Sequence, residues 1–260
     1  MNNDETRAVF DRRMRRGLRP DTPTARVEHT GGVVRQTGSP DDWNGIVWSD
    51  LDERGADAAI AEQVRHYGAL GLEFEWKHYS HDTPADLPAR LAAAGFVPEP
   101  PETLLVAEVA EQPTEVRLPP GVRLVPVTDE AGVDLVARVH ALAFEQDSAR
   151  FRNRLLTQLS EDPEHLVVLL ALAGDEPVCA ARMELHAGTG FASLWGGGTA
   201  PAWRGKGVYR ALVAHRAGIA AERGYRYLQV DASDQSRPIL ERLGFAALST
   251  TTPYLRAVTG

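Results

Sequence analysis

Gly196-Gly197-Gly198-Thr199-Ala200-Pro201-Ala202-Trp203-Arg204-Gly205-Lys206-Gly207-Val208-Tyr209-Arg210-Ala211-Leu212 joins an apolar strand to an apolar-faced helix. The strand is expected over 191–198 and the helix over 207–223, with Leu212, Val213, Ile219 and Ala220 on one side. Pro201 marks a turn between them. Glycines let backbone N–H groups turn toward an anion with no Cβ in the way. The helix N-terminus adds its dipole, so a pyrophosphate fits there. Arg204, Lys206 and Arg210 add positive charge.

Two other phosphate loops are excluded. A Walker loop needs glycine at position 200 and Ser or Thr after the lysine, where this chain has Ala200 and Gly207. A dinucleotide fingerprint needs a third glycine where Arg210 stands.

The stretch resembles the GNAT superfamily of acyl-CoA-dependent N-acyltransferases, whose motif is Arg/Gln-x-x-Gly-x-Gly/Ala at a strand-to-helix junction. Arg204 and Gly207 match it; Tyr209 departs, because a small residue is usual there. The resemblance covers about residues 120–260 and includes the Gly244-Phe245 pair after the last helix. It implies a mixed α/β fold with a mainly antiparallel sheet flanked by helices, and acetyl-CoA as co-substrate. The strand before the loop would splay from its neighbour, and the pantetheine arm would enter beside Gly197, Gly198 and Thr199. The pyrophosphate would rest on the amides of Gly205, Lys206, Gly207, Val208, Tyr209 and Arg210. The triple glycine is also what a tight turn or a bulge requires. Ser233 stands where the family usually has an Asn that touches the cofactor.

The family often carries a Tyr four residues before the glycine of Gly-Phe, as acid toward the leaving thiolate. Leu240 holds that position here. Tyr209 and Tyr254 remain as acids, each equally suited to packing its ring. The implied reaction is direct attack of a neutral amine on the thioester in a ternary complex, so an ammonium must first lose a proton. Many relatives have a Glu on the splayed strand, where this chain has Trp195 and glycines. Glu184 and His186 face one way on the preceding strand by period two. Glu184 is the first candidate base, and an equally simple solvent-facing residue. Glu145 is a second candidate base.

Working outward, 122–127, 165–173 and 178–186 read as strands, and 129–143 and 148–160 as helices, with Asp129 as a cap. After the loop helix come strand 225–230, helix 237–243 and a last strand from Phe245. Residues 108–121, with Pro113, Pro119 and Pro120, read as a linker. Before it lie strands at 24–29, 32–36, 45–49 and 72–79, and helices at 57–70 and 85–94, the latter stopped by Gly95. The order helix, strand, helix, Gly-Phe, strand therefore occurs twice, ending at Gly95-Phe96 and at Gly244-Phe245. The expectation is two tandem lobes: a degenerate GNAT-like copy at 1–112 that is structural or shapes the acceptor pocket, and a catalytic acyl-CoA-binding domain at 118–260. The junction Ser49-Asp50-Leu51-Asp52-Glu53-Arg54-Gly55 in the first copy is acidic and would repel pyrophosphate.

Residues 1–112 hold 12 Lys+Arg against 20 Asp+Glu, and residues 113–260 hold 16 of each, so the whole net charge of -8 lies in the first half. Such a surface disfavours nucleic acid and is compatible with a small cationic amine, although it also serves solubility alone. The acceptor is expected to be a small-molecule or peptide amine, and a homodimer is a compatible assembly. Arg7, Arg12, Arg13, Arg15, Arg16 and Arg19 surround Val9, Phe10, Met14 and Leu18, which reads as the solvated face of a docked helix rather than a membrane-surface one. No signal-like start, no long apolar run and the lone Cys179 favour the cytoplasm. The two lysines, Lys77 and Lys206, against many arginines point to a high-GC bacterial genome. His78, His81 and Asp82 read as a structural loop rather than a metal site. Trp43, Trp48 and Trp76 are expected in the first lobe's core, and Cys179 as a core thiol.

Overall fold

The computed structural model describes residues 1–145 and 148–257. Residues 146–147 and 258–260 of the segment expected to form the second lobe lie outside the described residues. Along the chain run α1 (Asn3–Phe10), β1 (Arg26–Thr30), β2 (Val33–Thr37), β3 (Gly45–Ser49), α2 (Ala56–Leu70), β4 (Phe74–Tyr79), α3 (Leu87–Ala93), β5 (Val97–Pro98) and β6 (Glu102–Glu108). Then follow β7 (Val122–Pro126), α4 (Glu130–Phe144), α5 (Ala149–Glu161), β8 (Leu166–Ala173), β9 (Glu176–His186), β10 (Phe191–Thr199), α6 (Val208–Glu222), β11 (Tyr227–Ala232), α7 (Arg237–Arg242) and β12 (Ala246–Arg256). The class is mixed α/β, with mainly antiparallel strands flanked by helices, as the resemblance implied.

Two compact units result, and they interleave along the chain. Met1–Leu104 groups with Asp231–Arg237 and the residues from Ala247 onward; Leu105–Val230 groups with Pro238–Ala246. The units therefore do not follow a single cut at the 112–118 linker, because β12 pairs with β4, setting Tyr254 opposite Trp76.

In the first unit β1, β2 and β3 form an antiparallel meander, and β3 runs parallel to β4 with α2 as the crossover. Trp76 is 1% exposed and lies in a core with Ile60, Tyr67, Phe74 and Phe96. Trp43 and Trp48 depart from the expectation. Both are half-buried, and the Trp43 Nε1–H donates to Glu75 at 2.8 Å. Phe10 and Arg15 are buried, so the arginine-rich start docks by these two residues. His81 bonds Asp11 at 2.9 Å and Ser249 at 2.8 Å, while Asp82 takes both oxygens to Arg15.

The second unit has the antiparallel order β7, β8, β9, β10 and a parallel step from β10 to β11 across α6. Alternation along β8 and β9 sorts the side chains. Val168, Leu170 and Ala180 meet α4 and α5 on one face; Leu169, Cys179 and Ala181 meet Val208 and Leu212 of α6 on the other. Asp129 caps α4, its Oδ1 accepting from the Gly132 N–H at 2.8 Å.

One local motif recurs in detail. After α3, the N–H of Gly95 donates to Ala92 O and that of Phe96 to Leu91 O; after α7, Gly244 donates to Glu241 O and Phe245 to Leu240 O. Both glycines have positive φ, 86° and 89°, which is why glycine closes each helix.

Candidate functional site

The site begins where β10 leaves β11. Their cross-strand partners are Phe191↔Tyr227, Ala192↔Leu228 and Ser193↔Gln229, and among the described residues the pairing ends there. Strand β10 continues to Thr199 and stays on β9, with Gly198 opposite Ala180 and Thr199 opposite Cys179. A gap therefore opens on one edge of β10 only. The register slips between Trp195 and Gly198, with Gly196 at φ 58°. This bulge loops one extra residue out of β10 and bends the strand.

The expectation that Gly197, Gly198 and Thr199 all offer backbone to the gap needs refinement. The Ala200 N–H donates to Val178 O on β9. Successive residues of a strand direct their backbone groups to opposite sides. Thr199 therefore faces the gap and Gly198 faces β9, while Gly197 lies within the register slip. The glycines also answer to sterics. A Cβ on Gly198 would come within 2.9 Å of the Ala143 Cβ and 3.1 Å of the Phe144 ring. α4 thus presses its last turn onto one face of the bulged strand.

From β10 the chain makes one 3₁₀ turn, Pro201–Trp203, and enters the loop. Gly205 (φ 74°) and Gly207 (φ 85°) take left-handed conformations, and space is open around both. Gly207 caps α6 with no side chain bonding the first turn. The first amides of the helix thus keep their N–H groups for an external anion. Val208 is buried beneath them; Arg204, Lys206 and Arg210 are exposed. Lys206 Nζ sits 4.4 Å from the Trp203 ring centroid. Arg204, expected to face the cofactor, is directed elsewhere: its Nη2 donates to Ala143 O at 3.0 Å, and its Nε to Thr199 O at 3.3 Å. A guanidinium on the Ala143 carbonyl, in the last turn of α4, complements that helix's negative end.

The contrast with the β3–α2 junction is physical. There the Asp52 carboxylate accepts from the N–H of Arg54 at 3.1 Å and of Gly55 at 2.7 Å. There the chain supplies its own anion, whereas no side chain caps the start of α6.

Glu184 lies on the α4–α5 face of β9, opposite Ser193, two residues before the bulge row Arg182↔Trp195. Its side chain is 18% exposed, with Oε1 3.6 Å from Arg182 Nε. Burial pushes the carboxyl up. Arg182, Arg154, His186 and a hydrogen bond from Gln158 outweigh it and leave the pKa below the usual range. Glu184 is therefore an ionised carboxylate at neutral pH. His186 is pushed down by burial and bonds Ser193 Oγ at 2.8 Å, and Ser193 reaches Gln229 at 2.7 Å. A polar row thus crosses β9, β10 and β11 at the point where the strands part. The period-two pattern placed Glu184 and His186 together; nothing local pointed to Gln229.

The other expected residues separate. Tyr254 is 8% exposed in the core of the first unit, opposite Trp76 and edge-on to His78 at 6.1 Å. That setting gives its ring a packing role, the second of the two readings given for it. Ser233 belongs to the first unit and starts the turn into α7, its carbonyl accepting from the N–H of Ser236 and Arg237. Glu145 ends α4 with φ 56° and is exposed. Tyr209 lies at the bulge with its ring against Gly197, and burial raises its hydroxyl's pKa. Leu240 is wholly buried. Burial pushes the Cys179 thiol up to about 11, so it is a protonated core thiol beside Thr199 Oγ1 at 3.1 Å. No helix among the described residues is long and apolar enough to cross a membrane.

Residues 134–245 match the Acetyltransferase (GNAT) family. A GCN5-related N-acetyltransferase from Kribbella flavida aligns over 98% of this chain and 95% of its own, at 18% identity and a TM-score of 0.69. A functionally unknown conserved protein from Staphylococcus epidermidis aligns over 94% of this chain and 97% of its own, at 14% identity and 0.71. A tandem GNAT protein from the clavulanic acid biosynthesis pathway aligns over 100% and 97%, at 13% identity and 0.58. At such identities the likeness is one of fold. No curated protein sequence matches the chain.

Proposed function

Because the chain carries a GNAT acetyltransferase domain over residues 134–245, we propose that it transfers an acetyl group from acetyl-CoA to the nitrogen of an amine, by direct attack in a ternary complex. The observation that carries this reading is the one-sided gap. Strand β10 parts from β11 at Ser193↔Gln229 yet stays on β9, and it leads through Gly205 and Gly207 into the uncapped start of α6. An extended amide-bearing arm fits in the gap beside Gly197 and Thr199, and a pyrophosphate fits the amides of Gly207, Val208, Tyr209 and Arg210. Lys206 and Arg210 add charge to that end.

On the acceptor side, Glu184 supplies a carboxylate that stays ionised. It is suited to attract an ammonium and hand its proton to water, because its low pKa makes it a poor store for that proton. Attack of the amine on the thioester carbonyl forms the C–N bond and an oxyanion; collapse breaks the C–S bond and releases CoA thiolate, which takes up the proton that the new amide nitrogen loses, directly or through water. In this reading a backbone N–H of the bulged strand receives the oxyanion. Cys179, buried and protonated, has no part as a nucleophile. The first unit, with its self-capped β3–α2 junction, is read as structural.

One observation favours a second reading, a non-catalytic acyl-CoA sensor: the wholly buried Leu240 holds the place of the acid the resemblance implies. Calorimetric titration of acetyl-CoA into the protein and a Gly207→Glu variant, followed by an amine screen with thiol detection, separates the readings. Binding that the variant loses, together with amine-dependent thiol release, is expected. Binding without turnover on any amine supports the sensor, and a folded protein that does not bind acetyl-CoA overturns both.

A further inference from the structure

Arg216, on the inner face of α6, is 1% exposed. Its position in the sequence, four residues after Leu212 on an apolar stripe, gave no sign of a role. Its Nε donates to Leu212 O at 3.1 Å and its Nη1 to Arg182 O at 2.8 Å. Nη2 is buried without a hydrogen-bond partner. The groups that face it electrostatically are Tyr209 and Cys179, both neutral near pH 7. A buried guanidinium held mainly by backbone carbonyls is expensive to keep.

The carbonyl it holds explains its use. The Leu185 N–H donates to His165 O on the β8 side, so by alternation Arg182 turns its backbone groups toward β10. Arg182 is the cross-strand partner of Trp195, the last row before the register slips. Gly196 and Gly197 follow, and Tyr209, on the same face of α6 and seven residues before Arg216, lays its ring against Gly197. Arg216 therefore reaches from beneath the sheet to the point where β10 departs from regular pairing.

We infer that Arg216 is a positioning residue for the acyl-CoA gap: by holding the Arg182 carbonyl it keeps the bulge at Gly196 and Gly197 formed, and so keeps the free edge of β10 turned toward the gap. This rests on the reading of that gap as the acyl-CoA site. A charged donor is suited to the task because its bonds to carbonyls are stronger than neutral ones and because its planar fork spans helix and strand together.

The test uses the full chain as wild type, Arg216→Lys, Arg216→Met and, as a control for core loosening, Val213→Ala. Titration with acetyl-CoA is paired with hydrogen exchange across 191–200 and across β8. Losing a charge-assisted hydrogen bond lowers affinity by about tenfold or more where the bond shapes the site. Arg216→Lys keeps the charge and the fold but not the fork. It is expected to bind acetyl-CoA about tenfold more weakly, with faster exchange confined to 194–199 and an unchanged KM for the amine. Arg216→Met is expected to weaken binding further, and Val213→Ala to leave both readouts at wild-type values. Equal affinity and equal exchange at 194–199 in wild type and Arg216→Lys overturn the inference. If wild type binds no acetyl-CoA the acyl-CoA reading fails, while the exchange measurement still decides whether Arg216 maintains the bulge.

Discussion

The ring of Tyr209 occupies the space of the side chain that Gly197 lacks: a Cβ on Gly197 would come within 2.5 Å of Tyr209 Cε2. Tyr209 is the departure from the small residue that the loop motif usually carries, and Gly197 is its complement. Gly197→Ala is therefore expected to destabilise the protein by about 1–3 kcal/mol through overpacking, and to weaken acetyl-CoA binding. In a Gly197→Ala/Tyr209→Ala double variant much of that loss should return. A double-mutant cycle by denaturation checks it; strictly additive effects would falsify the pairing.

Gly207 caps α6 at φ 85° with open space where a side chain would lie. Substitution by alanine thus carries backbone strain and no clash. The expected loss is about 1–2 kcal/mol of stability, the order of the left-handed penalty for a residue with a Cβ. Gly207→Glu should lose about the same stability but far more acetyl-CoA affinity, because its carboxylate competes for the helix amides. Urea unfolding beside calorimetry separates the two effects; equal affinities for the two variants would place the anion elsewhere.

Glu102, in the first unit, is pushed up to about 7 by burial; Lys77 opposes the rise while Asp231 and Glu75 add to it. Lys77 and Asp231 form a close pair at 2.5 Å, which leaves Glu102 as the group that gives up its charge. A folded pKa above the unfolded one means that the protonated form favours folding. That contribution is complete below about 4.5 and fades as pH rises through about 7. Stability should therefore fall between these values, by roughly 1–3 kcal/mol for this group. Glu102→Gln should flatten this part of the curve and be the more stable protein at pH 8. Thermal unfolding from pH 4 to 8 decides it, and parallel curves for the two proteins would rule it out.

Arg15 is the member of the N-terminal arginine cluster that the fold buries. It bonds Asp82 at 2.7 and 2.8 Å, donates to Val47 O at 3.0 Å and lies 3.8 Å over the Tyr79 ring. Their side chains are 2% and 4% exposed. Removing one partner strands the other, so Asp82→Ala should destabilise by about 3–5 kcal/mol. Arg12→Ala, at an exposed position, should change stability by less than about 0.5 kcal/mol. Chemical denaturation of the two variants checks the contrast, and similar losses would contradict it.

What the sequence determined by itself is what depends on near neighbours. Gly205, Gly207 and Gly244 are legible because a left-handed residue at a loop or helix end needs no distant partner to require glycine. The strands and helices of the second unit follow from period and turn chemistry, and Asp129 caps α4 as its position promised. What only the tertiary structure decided are contacts across the chain. Arg204 serves the carbonyl of Ala143, 61 residues away, and so is not simply a phosphate ligand. Arg216 finds the carbonyl of Arg182, 34 residues away, from a stripe that reads as apolar. Tyr254 goes to a packed core because β12 takes its register from β4. A side chain's local pattern fixes its face. Which group meets it there is set by how sheet and helices close over each other, and a loop motif carries no information about that closure.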